Sequence, residues 1–233
     1  MERLQFLKGF KGYLQADAFA GYDRMCAGND VIEIACWAHT RRKFFEAKDT
    51  DARANEILVL IGELYAVEAQ ARPAIEAARA LPNGLRHAAL SEAFAARKQL
   101  REAASKAVLD KIHVWLKARA ADTLPKSPLG LAIGYARNQW RALIRFIEDG
   151  VLEADNNTAE NALRPIALGR KNYLFVGSEH GGHRAAILYS LIRTCERHQI
   201  NAWEYLRDVL IRIATHPASR IDDLLPNRWT IKQ

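Results

Sequence analysis

The sequence predicts a mostly helical α/β protein, and three observations predict it. Two short β-like runs lie before residue 40. A block from about residue 52 to 150 is almost purely helical in its periodicity. The last third reads as further amphipathic helices around one polar, basic stretch. With 233 residues, 49% of them hydrophobic, the chain is long enough for one large domain or a domain with an insertion, and too apolar for a disordered chain.

The elements follow in order. Tyr13-Leu14-Gln15-Ala16 reads as the end of a strand, with Asp17 directly after it and then a Gly-containing turn or short helix, AFAGYDRM. Val31 to Trp37, VIEIACW, is β-branched and apolar with Glu33 alone interrupting, and is predicted as a second strand. It runs into Ala38 to Phe45, where Thr40 is expected to cap a helix. His39 lies at that junction, where its ring could bond backbone or reach a phosphate. Ile57, Leu58, Ile61, Leu64, Tyr65 and Glu68 follow i, i+3, i+4, i+7 spacing, so a long amphipathic helix is expected there. Pro82-Asn83-Gly84 breaks it. A second long helix from about Leu85 to Ala120, rich in Ala, Lys, Arg, Glu and Gln, pairs with the first as an αα-hairpin. Leu124 to Pro128 is a loop. Leu129 to Glu148 is a third helix, with Ile133, Ala136, Trp140, Leu143, Ile144 and Ile147 as its apolar face and Asp149-Gly150 ending it.

Asp155 to Gly177, DNNTAENALRPIALGRKNYLFVG, reads as a short helix carrying Glu160, then a basic turn, then an apolar β-like run from Tyr173 to Val176. Gly181-Gly182 punctuates. Arg184 to His198 is a helix, and Asn201 caps another that Pro217 ends. Leu224, Leu225 and Trp229 are the docking residues of the tail. No internal repeat is evident.

The net charge is +7 and the isoelectric point about 9.4, a balance that favours polyanion partners. The charge recurs as Arg41-Arg42-Lys43, as Arg97-Lys98 with Arg101, and as Arg164 with Arg170-Lys171. A solvated helix face explains the middle cluster well and the outer two less well. Three cysteines without a C-x-x-C pair point to a reducing compartment, with neither a disulfide framework nor a zinc site. The N-terminus has no long apolar run of the signal-peptide kind, and no stretch is long enough to span a bilayer, so a cytoplasmic protein is expected.

Nucleotide P-loop, dinucleotide glycine fingerprint, G-x-S-x-G elbow and H-E-x-x-H are all missing from the sequence. That narrows the enzyme chemistry to carboxylates and a bound cation. Two carboxylates stand out, each with two readings. Asp17 is a turn or cap aspartate, or an active-site carboxylate just past a strand end, where open α/β sheets collect their sites. Glu160 is the last member of a capping box with Asn157 as N-cap, or a metal-binding carboxylate in a basic cleft.

The strings LQADAFAGYD, CWAHTRRKFFEAK, DNNTAENALRPIALGRKNYLFVGS and SLIRTCERHQINAWEYLRDVL resemble, in that order, the C-terminal half of insertion-sequence-66 family transposases. The resemblance runs from about Tyr13 to the tail and is weak in the helical block. It implies a DDE transposase with a ribonuclease-H-like core, here partial, interrupted by a large helical insertion. The regions are then 1–50 and 151–180 for the core, 51–150 for the insertion, and 181–233 for a C-terminal helical region.

Asp17 then matches the second catalytic aspartate and Glu160 the catalytic glutamate, both as metal ligands. Arg41, Arg42, Lys43, Arg164, Arg170 and Lys171 face DNA, with His39 and Asn157 in support. The implied cofactor is Mg²⁺ in a two-metal site, where cations about 4 Å apart activate the nucleophile and stabilise the leaving oxygen. The implied partners are transposon-end and target DNA and other transposase subunits. The implied setting is a bacterial cytoplasm, nucleoid-associated when the protein is bound to DNA. The family's first catalytic aspartate lies on an earlier strand, upstream of Met1, and Asp23, Asp30 and Asp155 do not stand in its context. A truncated, catalytically incomplete chain is therefore expected. The alternatives are a non-catalytic remnant and a basic helical DNA-binding or interaction protein.

Overall fold

The structure, a computed structural model, describes residues 7–17, 30–173 and 176–229. The chain divides into two compact units, Met1–Thr158 and Ala159–Gln233.

The first unit opens on β1 (Gly12–Gln15) and β2 (Val31–Ile34), paired in parallel from Gly12 opposite Val31 to Gln15 opposite Ile34. The second strand is shorter than its apolar run, because the backbone finds other partners past Ile34. Ala35 N–H donates to Ala142 O at 3.1 Å and Trp37 N–H to Ala154 O at 3.0 Å. Trp37 instead begins α1 (Trp37–Ala47) and is buried, its indole N–H donating to Leu143 O at 2.9 Å. Cys36 holds the cap position, without a side-chain capping bond. Thr40, expected as the cap, is buried one turn inside, and its hydroxyl donates back to Cys36 O at 3.2 Å.

The helical block forms much as its periodicity predicts. α2 (Ala54–Ala80) folds back on α3 (Asn83–Leu100) as a hairpin, with Ala71, Ile75, Ala78 and Ala93 buried between them. A π turn, Arg101–Ser105, carries α3 without a break into α4 (Lys106–Asp122). The expected third helix is split: α5 (Pro128–Asn138) ends at Gln139, and α6 (Trp140–Ile144) continues into a 3₁₀ turn, Arg145–Ile147. β2, α1, α2, α4, α5 and α6 enclose one core of Ile34, Trp37, Phe44, Ile57, Ile61, Leu64, Ile112, Leu116, Leu129, Leu143 and Phe146. Each fully buried Ile, Leu or Phe there contributes about 1.5–3 kcal/mol.

In the middle basic cluster Lys98 is exposed, but the two arginines do not lie on a solvated face. Arg97 and Arg101 are buried, and their guanidinium groups fasten the segment that follows α6. Arg101 makes a two-pronged pair with Glu68 at 2.7 Å and donates to Phe146 O and Asp149 O at 2.6 and 2.9 Å. Arg97 donates to Gly150 O at 2.6 Å, Leu152 O at 3.2 Å and the Glu153 carboxylate at 3.0 Å. Four carbonyls between residues 146 and 152 accept from the two guanidinium groups, as the pairing of buried backbone polar groups requires.

The boundary between the units falls inside α7 (Asn157–Tyr173). The stretch expected as a basic turn, through Arg170 and Lys171, is helix. Pro165 inside it has no N–H to give Asn161 O, and the Arg193 guanidinium from the next helix donates to that carbonyl at 3.2 Å. Of the expected β-like run, Leu174 and Phe175 lie outside the described residues, and Val176 is in no strand. α8 (Glu179–Arg197) takes Gly181-Gly182 into its first turn, where Ser178 caps it by accepting from Gly181 N–H. A Cβ on Gly181 would stand 2.4 Å from Val176 O, so Gly181 permits a close approach of backbone, and neither glycine breaks the helix. α9 (Ala202–Arg212) is capped as expected by Asn201, which accepts from Trp203 N–H and Glu204 N–H. Tyr205, Val209, Cys195 and Leu224 form a small core with Trp229 against it. Leu225, expected to dock, is exposed.

Candidate active site

In the first unit the sheet sets the site. Parallel pairing brings the carboxyl ends of β1 and β2 to the same edge, where Asp17 follows one strand and the first turn of α1 follows the other. Ala16 is buried, its N–H donating to Ile34 O at 3.0 Å. The chain surfaces one residue later, at the exposed Asp17. Tyr135 of α5 lies across this edge, its hydroxyl donating to the Asp17 backbone carbonyl at 3.3 Å. The Lys43 ammonium sits over the same ring, 4.7 Å from its centroid. Burial, and then the negative potential of Cys36, Asp17 and Glu33, push the Tyr135 phenol up to about 12. It is therefore a hydrogen-bond donor at neutral pH. His39 is half-buried in the first turn of α1.

Arg41, Arg42 and Lys43 are all exposed, but successive helical residues turn by about 100°, so the three do not make one patch. Lys43 reaches the Asp17 edge. Arg41 lies on the line Arg41-Phe45-Lys48 along the opposite flank of the buried face.

Where α7 begins, Asp155 organises the chain. Its carboxylate accepts from the Tyr65 hydroxyl at 3.1 Å, from Asn157 N–H at 3.0 Å and from the Asn157 side-chain amide at 2.8 Å. Asn157 opens α7 and donates to Asp155 through both its backbone and its side-chain amide. Burial, joined by the Asp155 charge, pushes the Tyr65 phenol well above its ordinary range. A cleft of about 220 Å³ beside it is lined by Glu68, Arg72, Glu76, Arg79, Asp155 and Thr158 among others. Its mixed charges select neither sign of ligand.

In the second unit Glu160 is half-buried in the first turn of α7, while Arg164, Arg170 and Lys171 are exposed. Arg164 at i+4 and Lys171 at i+11 return to the face of Glu160, about 6 and 16 Å along the axis. Arg170 lies to one side. One face of one helix therefore carries a carboxylate followed by two cations.

Among the described residues no group of three or more His, Cys, Asp or Glu side chains is placed to hold a metal ion. Cys36 and Cys195 are free and buried; burial raises both thiols, so neither is a ready nucleophile. Cys26 and Asp23 lie outside the described residues. Of the other two aspartates, Asp30 pairs with Lys11 at 3.2 Å and Asp155 is engaged as above. Tyr135 was missed in the sequence, where nothing distinguished it from the apolar face around it. The buried role of Arg101 did leave a signal: Glu68, a carboxylate in an otherwise apolar stripe.

Residues 2–184 match the model of the transposase IS66 family, and residues 190–227 that of the IS66 C-terminal element. The chain belongs to the IS66 transposase family. It is 34% identical over 241 residues to the uncharacterized protein y4hP of Sinorhizobium fredii, an alignment covering 96% of this chain and 40% of that one. It is 33% identical over 236 residues to y4qI of the same organism, covering 97% of this chain and 40% of the relative. The chain thus spans about 40% of the length of the curated relatives it matches. No solved structure matches it. Among the described residues no helix is long and apolar enough to cross a membrane.

Proposed function

We propose that the chain is part of the catalytic region of a DDE transposase, acting in metal-dependent cleavage and transfer of DNA strands. The observation that carries this is the IS66 family match over residues 2–184. On this reading the two-stranded sheet is a piece of a ribonuclease-H-like core, residues 51–150 are an insertion into it, and residues 181–233 are a C-terminal helical region.

Asp17 and Glu160 would each give a carboxylate to a divalent cation. Hard oxygen donors suit Mg²⁺, but two carboxylates are fewer than a full set, so the remaining ligand comes from outside the described residues. When bound, the ion supplies charge stabilisation at phosphorus and a more acidic water or 3′-hydroxyl. The chain's own residues do the rest. Tyr135 holds the backbone of Asp17 at the sheet edge. Lys43, Arg164 and Lys171 bring positive charge alongside a phosphate backbone, and Arg41, Arg42 and Arg170 add to the same field. DNA and other transposase subunits are the partners, in the cytoplasm with the nucleoid as the working location.

The test is nicking of supercoiled DNA with and without Mg²⁺. By itself the chain should cleave weakly or not at all, and any cleavage should require Mg²⁺ and vanish in Glu160→Gln and Asp17→Asn. Robust cleavage that survives Glu160→Gln overturns the assignment. The second reading is a DNA-binding remnant without activity; it predicts DNA binding with no cleavage under any condition.

A further inference from the structure

We propose that Phe45, held between Arg41 and Lys48 on the outer flank of α1, is a stacking platform for an unpaired DNA base. The inference rests on the DNA-binding reading above and adds to it a substrate class, DNA with an exposed single-stranded segment.

The argument starts from a side chain in the wrong place for a core residue. α1 already buries Trp37, Thr40, Phe44 and Ala47 on one face. Phe45 is the next residue after Phe44, turned out of that face, and remains 46% exposed. An isolated exposed aromatic is unremarkable on its own. This one is not isolated. The Lys48 ammonium lies 3.9 Å from its ring centroid and the Arg41 guanidinium 5.9 Å away. Arg41, Phe45 and Lys48 stand at i, i+4 and i+7, so they form one line along the helix. Its ends are cationic and its centre is a flat apolar surface. Cation–π contact orients the ring and keeps two phosphate-binding groups close to it.

That pairing of groups fits one chemistry better than others. A duplex offers a protein its phosphates and groove edges, while its base faces are stacked away from solvent. An unpaired strand offers phosphates and base faces together, and proteins bind it with aromatic platforms set among cations. A purely anionic ligand would have no use for the ring, and a purely apolar partner would leave two ammonium or guanidinium groups desolvated without counter-charge. The line is also built on the helix that directly follows β2, so its three side chains are held at fixed spacing by one rigid element.

The experiment compares the whole chain with Phe45→Ala, Phe45→Trp and Arg41→Ala by fluorescence anisotropy, on a labelled oligothymidylate and on a duplex of equal length. Phe45→Ala should weaken oligothymidylate binding about tenfold, leave duplex binding within twofold, and leave the salt dependence of both unchanged, because no cation is removed. Phe45→Trp should retain the affinity. Arg41→Ala should weaken both DNAs and flatten the salt dependence. As an independent readout, photo-crosslinking of an iodouracil-substituted strand should map to the peptide containing Phe45. Unchanged oligothymidylate affinity in Phe45→Ala, or a crosslink that maps elsewhere, overturns the platform while leaving the transposase reading standing. A wild-type chain that binds neither DNA overturns both.

Discussion

Replacing Arg101 with methionine should destabilise the first unit severely. Arg101 is fully buried, and its partner Glu68 has a side chain only 9% exposed. The variant loses both prongs to the carboxylate, at 2.7 Å each, and the bonds to Phe146 O and Asp149 O. The nearest cation left to Glu68 is Arg97, 3.9 Å away, too far for a hydrogen bond. Breaking a buried pair from one side costs about 3–5 kcal/mol, because the remaining charge keeps its desolvation penalty with no partner. For a chain of this size, with about 2–4 °C of melting temperature per kcal/mol, that is a fall of roughly 6–20 °C. Chemical denaturation followed by circular dichroism gives the free energy, and a thermal melt gives the shift. Removing both charges in Arg101→Met with Glu68→Leu should recover a large part of the loss, since well-packed apolar residues often replace a buried pair with little penalty. A single-variant loss below about 1 kcal/mol, the range of exposed pairs, would refute this account of the buried arginine.

Three further outcomes follow from the structure. Gly150→Ala should destabilise by about 1–3 kcal/mol or more in the same denaturation assay, as overpacking does, because the added Cβ would stand 1.8 Å from Phe94 O. The Tyr135 phenol is raised from 10.0 to about 12 in the folded chain, so the folded state holds this proton more tightly than the unfolded state. Stability from it is complete below about pH 10 and is lost as pH rises toward 12. An alkaline phenolate titration of wild type against Tyr135→Phe should show one late-titrating tyrosine missing in the variant. If the proposed DNA contacts are made, affinity should fall steeply with salt, as phosphate contacts by Lys and Arg do; affinity unchanged between low and moderate salt would count against the basic surface.

What the sequence made legible is the part of the fold written in local periodicity. The 3.6-residue stripe located α2, and a β-branched, apolar run interrupted only by Glu33 located β2. The Pro82 break marked the hairpin, and Asn201 marked the start of α9. Three of the misreadings share one physical cause, a bond to a distant partner. Arg170 and Lys171 read as a turn but lie in a helix that continues past Pro165, where Arg193, far along the chain, donates to Asn161 O. Arg97 and Arg101 read as a solvated face because their partners lie tens of residues away. Trp37 read as strand because nothing local says that its N–H goes to Ala154 O. At the candidate site, Asp17 and Glu160 were visible as residue types in recognisable strings. The parallel strand pair that puts Asp17 beside α1 and Tyr135 was not, because it depends on register and on a helix more than a hundred residues later.

The central claim, that Asp17 and Glu160 hold a divalent cation, is tested most directly by iron-mediated backbone cleavage of the chain. Fe²⁺ replaces Mg²⁺ and, with ascorbate and peroxide, cuts the polypeptide next to its ligands. The account predicts cuts beside residues 17 and 160 that are suppressed by excess Mg²⁺ and lost in the Asp17→Asn, Glu160→Gln double variant. Cuts confined to other segments, or cuts unchanged in that variant, would contradict it.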